Sequence, residues 1–298
     1  MAARPRTLPA AIAPVLVGSA AAYWQMQEAC SAAVLCEPDF RWLAFVAALI
    51  GSIFLQIGTN LANDYSDAKR GADTEDRLGP VRVTSAGLVA PRRVLHATWL
   101  AFAVAVVAGI YLATVAGPLI LAVGAASILA GVLYTGGPRP YGYAGMGELF
   151  VFLFFGLVAV NGSYYVQLES LDLLPFVLSI PVGFLSTAIL VVNNIRDIET
   201  DRRAGKRTLA VRLGRERAVK LYLALAGGTY LALAIGLATT DGPWPALVAL
   251  ASAPLAIAPA RAVSERSDGP SLNAALAQTG ALLGVFSLLL TAGLLIAT

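Results

Sequence analysis

Apolar residues run through this chain in long blocks separated by short polar stretches. A helix needs about 20 mostly apolar residues to cross a bilayer, and nine segments meet that need: 8–27, 41–62, 94–115, 117–135, 147–167, 173–195, 217–239, 244–262 and 272–297. They are rich in Ala and Leu, which favour helix. Pro9, Pro14, Pro118, Pro175, Pro181 and Pro254 fall in or beside these blocks. Prolines are tolerated there because neighbouring helices satisfy the freed backbone groups. Small residues such as Gly51, Ser52, Gly58, Gly124, Gly156, Gly183 and Gly284 allow helices to approach closely. The pattern predicts an all-α polytopic membrane protein of nine spanning helices around a central cavity. A single domain over 1–298 is expected, with no soluble domain and no linker.

Composition agrees. The chain is 58% hydrophobic and 13% charged, with mean hydropathy +0.73; a soluble domain carries about a quarter charged residues. A net charge of +3 says little, but its distribution says more. The N-terminus and the even-numbered loops hold 20 of the 21 Lys and Arg, and the opposite side holds only Arg41. The positive-inside rule then puts the N-terminus and the even loops in the cytoplasm and the C-terminus outside, in a cell membrane. Arg4 and Arg6 lead into the first apolar block without a small-residue cleavage site, so that block is expected to be retained. Cys30 and Cys36 share the first interhelical loop, and whether they pair depends on the redox state of that compartment. His96, beside Arg92 and Arg93, reads as an interfacial residue.

Two acidic clusters break this otherwise apolar chain. One is Asn60-Leu-Ala-Asn63-Asp64-Tyr-Ser-Asp67, with Asp73 and Asp76 beyond; the other is Asn193-Asn194-Ile-Arg196-Asp197-Ile-Glu-Thr-Asp201. Asn60/Asp64, Asn193/Asp197 and Asp197/Asp201 are spaced i, i+4 and Asp64/Asp67 i, i+3, so each set shares a helix face. Each cluster ends an apolar block and precedes a long basic loop, four helices apart, which suggests two quasi-equivalent four-helix halves facing one cavity. Carboxylates gathered in this way need protons or cations. Oxygen donors without His or Cys favour a hard ion such as Mg²⁺, which often bridges carboxylates to phosphates. Nearby Lys206, Arg207 and Arg212 suit phosphate oxygens. Solvated surface charge would explain either cluster alone; the matched pair argues for a metal-bound polyanion site.

Other polar residues are less informative. The segment Tyr134-Thr-Gly-Gly-Pro-Arg139-Pro-Tyr141-Gly-Tyr143 is either a plain Gly/Pro turn or a tight loop carrying Arg139 and the tyrosines to the cavity. Glu148 opens a helix, where the dipole alone would favour a carboxylate. Asn161, Asn273 and Gln278 fit hydrogen bonds between helices. No ionisable residue falls mid-span, which argues against a proton-coupled transporter.

At these residues the chain resembles the UbiA superfamily of intramembrane prenyltransferases, over nearly its whole length. That family has nine helices and Asp-rich motifs on helices two and six. Within it, the chain is most similar to the branch that prenylates 1,4-dihydroxy-2-naphthoate in menaquinone synthesis. That likeness rests on Arg4-Pro-Arg-Thr-Leu-Pro through Gly18, Asn60 to Asp67, Gly71-Ala-Asp73, Asp76 to Pro80, and Tyr134-Thr-Gly-Gly-Pro-Arg139. The common first motif has a third Asp where this chain has Gly71, and Asp73 is the next acid. The resemblance implies that Asp64, Asp67, Asp197 and Asp201 are the catalytic metal ligands, holding two Mg²⁺ ions. It also implies that Lys206, Arg207, Arg139 and Arg212 bind diphosphate. Asn60, Asn63, Asn193, Asn194, Asp73 and Tyr134 would then form the surrounding shell or touch the acceptor. The implied reaction joins a polyprenyl diphosphate to dihydroxynaphthoate with loss of carbon dioxide, giving demethylmenaquinone and diphosphate. Other acceptors (4-hydroxybenzoate, homogentisate, haem or a glycerol phosphate lipid) and, more distantly, a transporter are the alternatives.

Overall fold

The computed structural model describes Arg4 and residues 7–31, 39–71, 78–79 and 82–297. Every regular element among them is helical. Among these residues nine long helices follow the predicted blocks: α1 (Pro9–Ser31), α2 (Trp42–Lys69), α3 (Pro91–Ala116), α4 (Leu119–Leu133), α5 (Gly147–Leu168), α6 (Leu173–Arg196), α7 (Arg215–Thr239), α8 (Trp244–Glu265) and α9 (Gly269–Ile296). Seven are long and apolar enough to cross a membrane, the exceptions being α1 and α4. α4 has 15 residues, about five short of a full crossing. α1 is long enough but rich in Ala, and much of it is buried among other helices. A helix shielded from lipid gains more from close packing than from apolar bulk. The chain is a multi-pass, all-α membrane protein.

α6 is the central strut, buried along most of its length, and it packs against α1, α5, α7 and α9. The core there holds Leu178, Leu185, Tyr222, Leu283 and Phe286, and the Tyr222 hydroxyl meets Thr279 Oγ1 at 3.0 Å. α2 packs along α3, while α6 packs along α7, so each motif helix lies beside the helix that follows its basic loop. Two glycines set the spacing around α5. A Cβ on Gly156 would come within 2.7 Å of Gly183 Cα, and one on Gly18 within 2.1 Å of the Val160 carbonyl oxygen. Both contacts are closer than any side chain permits, so backbones touch there.

α5 widens into a π-helical stretch over Phe152–Val158. Such insertions redirect side chains and recur at functional sites; here Phe154, Phe155 and Val158 all line the central cavity. At the far end from the acidic clusters, Arg41 ties three helices together. Its guanidinium donates to the Val115 and Val166 carbonyls (3.4 and 3.2 Å) and to Glu169 Oε1 (2.7 Å).

Candidate active site

The last turns of α2 and α6, the 82–84 segment, the 134–146 turn and the 197–208 segment converge at one end of a cavity of about 360 Å³. The charged end is lined by Asp67, Arg82, Asp197, Asp201 and Lys206, with Asn60, Asn63, Asn193 and Asn194 beside them. The remainder is apolar and aromatic, with Leu112, Ile120, Val123, Phe154, Phe155 and Val158.

Asp67 is buried and has three charged or polar partners. Its Oδ1 accepts from the Tyr143 hydroxyl at 2.6 Å and lies 3.3 Å from Lys206 Nζ, and its Oδ2 accepts from Arg82 Nη2 at 3.0 Å. Lys206 Nζ also sits 4.7 Å above the Tyr143 ring, a favourable cation–π distance. Asp64 is buried but does not line the cavity. Its oxygens accept from the backbone N–H groups of Val83 and Thr84 at 3.3 and 3.1 Å, so it latches the 82–84 segment onto α2. Thr135 donates to Asn63 Oδ1 at 2.9 Å, and Asn60 donates to Thr7 at 3.2 Å.

Arg196 organises the second cluster. It donates to both Asp197 oxygens at 2.8 and 2.5 Å, to Asn193 Oδ1 at 2.9 Å and to Asn273 Oδ1 at 2.7 Å. Asn273 donates onward to the Leu78 carbonyl at 2.9 Å, which joins α9 to the loop after α2. Asp201 lies one turn along the short helix Ile198–Arg203, and its carbonyl accepts the Lys206 N–H at 2.8 Å. Gly205, with φ +72°, makes the reversal that turns Lys206 inward. Asn194 donates to Glu148 Oε1 at 2.9 Å.

Thus the two clusters, far apart in sequence, meet at one place, and Tyr134, Tyr141 and Tyr143 line the same cavity. Burial raises the Tyr141 hydroxyl above its ordinary range, so it stays a neutral donor, bonded to the Ala130 carbonyl at 2.8 Å. The basic residues divide. Lys206 reaches the cavity, whereas Arg139, Arg207 and Arg212 do not line it and are all exposed. Arg207 instead donates its backbone N–H to the Tyr143 carbonyl at 2.9 Å and accepts from Arg212 Nε at 3.2 Å through its own carbonyl. Gly71 has φ +63° just past the end of α2. A left-handed residue suits glycine there and ends the helix face that a third Asp would have extended. Asp73, Asp76 and Cys36 lie outside the described residues; Cys30 is held in a disulfide. Arg82 escaped the sequence reading, because nothing in its local pattern distinguishes it from other loop arginines.

No group of three Asp, Glu, His or Cys side chains closes on one point among the described residues. The donors at the charged end are nevertheless all carboxylate and amide oxygens, the chemistry a hard dication takes. An all-helical bundle around a cavity that is charged at one end and apolar along the rest defines a multi-pass membrane protein with an internal site.

The sequence matches the UbiA prenyltransferase family over residues 11–283. It is 46% identical to a 1,4-dihydroxy-2-naphthoate octaprenyltransferase of Mycobacterium tuberculosis, covering 96% of this chain and 92% of that one. The fold is similar to the apo structure of a UbiA homologue from Aeropyrum pernix K1, with TM-score 0.68 at 14% identity over 95% of this chain and 97% of that one. It is also similar to a UbiA homologue from Archaeoglobus fulgidus bound to GPP and Mg²⁺, with TM-score 0.61 at 16% identity, covering 96% and 98%. The chain belongs to the UbiA prenyltransferase family and is a membrane prenyltransferase.

Proposed function

We propose that the protein transfers a polyprenyl group from polyprenyl diphosphate to 1,4-dihydroxy-2-naphthoate, giving demethylmenaquinol (the hydroquinone form), carbon dioxide and diphosphate. The observation that carries the reading is the division of the cavity. Its charged end suits a diphosphate and its apolar length suits an isoprenoid tail. The acceptor is drawn from the M. tuberculosis relative, whose name specifies that substrate and which matches this chain nearly end to end.

In this proposal Asp67, Asp197 and Asp201, which line the cavity, would hold two Mg²⁺ ions, which would supply positive charge to offset that of the diphosphate, while Asp64 holds the 82–84 segment in place. Lys206 binds a non-bridging phosphate oxygen and strengthens that contact as the leaving group gains charge. Arg82 and Arg196 balance the acids before substrate arrives, since bare buried carboxylates at this spacing would repel. Tyr143 holds Asp67 in place through its 2.6 Å hydrogen bond. The apolar wall excludes water from the allylic cation, and ring carbon attack followed by loss of carbon dioxide restores aromaticity. The enzyme would work in the cell membrane with the charged end and N-terminus cytoplasmic. The basic count on that side supports this orientation.

An acceptor panel with purified protein tests the reading. Prenylation of 1,4-dihydroxy-2-naphthoate well ahead of 4-hydroxybenzoate and homogentisate is the expected result; preference for either competitor would reassign the acceptor.

A further inference from the structure

Glu148, the second residue of α5, is 6% exposed and does not line the cavity. One carboxylate oxygen accepts from Asn194 Nδ2 at 2.9 Å. The other, Oε2, is buried with no hydrogen-bond partner among the described residues. A half-satisfied buried carboxylate costs stability that an apolar residue of similar shape would not. Its presence therefore asks for a reason other than packing.

The reason lies in what the acid does to its partner. An asparagine amide has one oxygen that accepts and one nitrogen that donates. Glu148 Oε1 accepts here, so Asn194 turns its Nδ2 to Glu148. Asn194 itself lines the cavity, three residues before Asp197. With its nitrogen committed behind the wall, the amide oxygen is the polar group left for the cavity. The wall around it is aromatic. Gly147, next to Glu148, sits against Tyr134 and Leu190, and Tyr134, Tyr141, Phe150 and Phe154 form a chain of ring contacts that lines the same cavity.

We infer that Glu148 is a positioning residue. It fixes the Asn194 amide with its oxygen toward the cavity, where that oxygen accepts a hydrogen bond from a hydroxyl of the aromatic acceptor lying against the ring wall. The inference rests on the prenyl-transfer reading above. Without Glu148 the amide is free to flip and to present N–H groups, which leaves the hydroxyl proton of the acceptor without its amide oxygen.

Steady-state kinetics on Glu148→Ala and Glu148→Gln, with both substrates varied, test this. The glutamine retains a carbonyl that can accept from Asn194, so it keeps the orientation without the charge. The expected result for Glu148→Ala is a KM for 1,4-dihydroxy-2-naphthoate raised about tenfold, the size of one lost hydrogen bond. Its KM for polyprenyl diphosphate and its half-saturating Mg²⁺ concentration should not move. Glu148→Gln should recover most of the loss. The exchanged pair, Glu148→Gln with Asn194→Asp, should outperform Asn194→Asp alone. In the pair the glutamine amide can donate to the introduced carboxylate, whereas the native Glu148 repels it. The inference is overturned if Glu148→Ala leaves the acceptor KM unchanged, or shifts the Mg²⁺ requirement instead. It is equally overturned if Glu148→Gln does no better than Glu148→Ala, or if the exchanged pair gains nothing. Wild-type protein inactive on 1,4-dihydroxy-2-naphthoate would instead defeat the functional reading, so the two failures are distinguishable.

Discussion

Lys206 Nζ lies 3.3 Å from Asp67 Oδ1, and this ion pair joins the segment after α6 to the last turn of α2. Both side chains are nearly excluded from solvent, at 9% and 2% exposure. It is a direct link between the regions of two acidic motifs that the sequence separates by four helices. It also sets apart the one basic residue of its loop that reaches the cavity from Arg207 and Arg212, which do not.

Lys206→Met keeps the aliphatic stem over Tyr143 but removes the charge. In the proposed reaction kcat should fall by about 10²-fold, in the range of losing one charged contact to a developing anion. Arg207→Met and Arg212→Met should each cost less than about threefold, as expected of residues outside the cavity. Parallel kcat measurements on the three variants check the ordering; equal losses would remove the distinction between them.

Arg196 makes four side-chain hydrogen bonds in the buried second cluster, two of them to Asp197. Arg196→Ala strands that carboxylate and should destabilise the protein by about 3 kcal/mol. Thermal unfolding in detergent reads this as a clear drop in midpoint. Asn273→Ala removes one arm of the same network and should cost about 1 kcal/mol.

Asp64 holds the backbone N–H groups of Val83 and Thr84. Asp64→Ala should speed hydrogen exchange at those two amides by about tenfold or more, while amides in the middle of α6 stay protected. Unchanged exchange at Val83 and Thr84 would show that the segment is held by something other than Asp64.

Gly156 and Gly183 meet backbone to backbone where α5 crosses α6. Gly156→Leu forces the helices apart beside the π-helical stretch and should destabilise by about 2 kcal/mol or more. Because Phe154, Phe155 and Val158 line the cavity from that stretch, the KM for polyprenyl diphosphate should rise with it. A variant as stable and as active as the wild type would mean that the close approach is not needed.

The helices were legible because a bilayer imposes one length and one apolar requirement on each block, and each predicted segment falls on helix among the described residues, seven of the nine being long and apolar enough to cross a membrane. α1 and α4 show where that rule weakens. α1 is shielded by its neighbours and can be small-residue rich, and α4 is short. The acids were legible through helical spacing at matching helix ends. Asp64 shows the limit of that signal: spacing placed it on the motif face with Asp67, yet its oxygens turn to backbone amides 19 and 20 residues on. The directions of Arg139, Arg207 and Arg212 depend on loop turns that no periodicity reports. Arg82 and the Glu148–Asn194 pair were hidden for a related reason, since each joins segments brought together only by tertiary packing.

The central claim is that the charged end of the cavity holds a metal-bound prenyl diphosphate while the apolar length holds its tail. The most direct measurement incubates purified protein with polyprenyl diphosphate, 1,4-dihydroxy-2-naphthoate and Mg²⁺, and quantifies diphosphate, carbon dioxide and prenylated product together. The account predicts equal yields of all three, abolished by chelating the metal and lowered by about 10²-fold or more in Asp197→Asn. Product formed at an undiminished rate after chelation, or by Asp197→Asn, would contradict it.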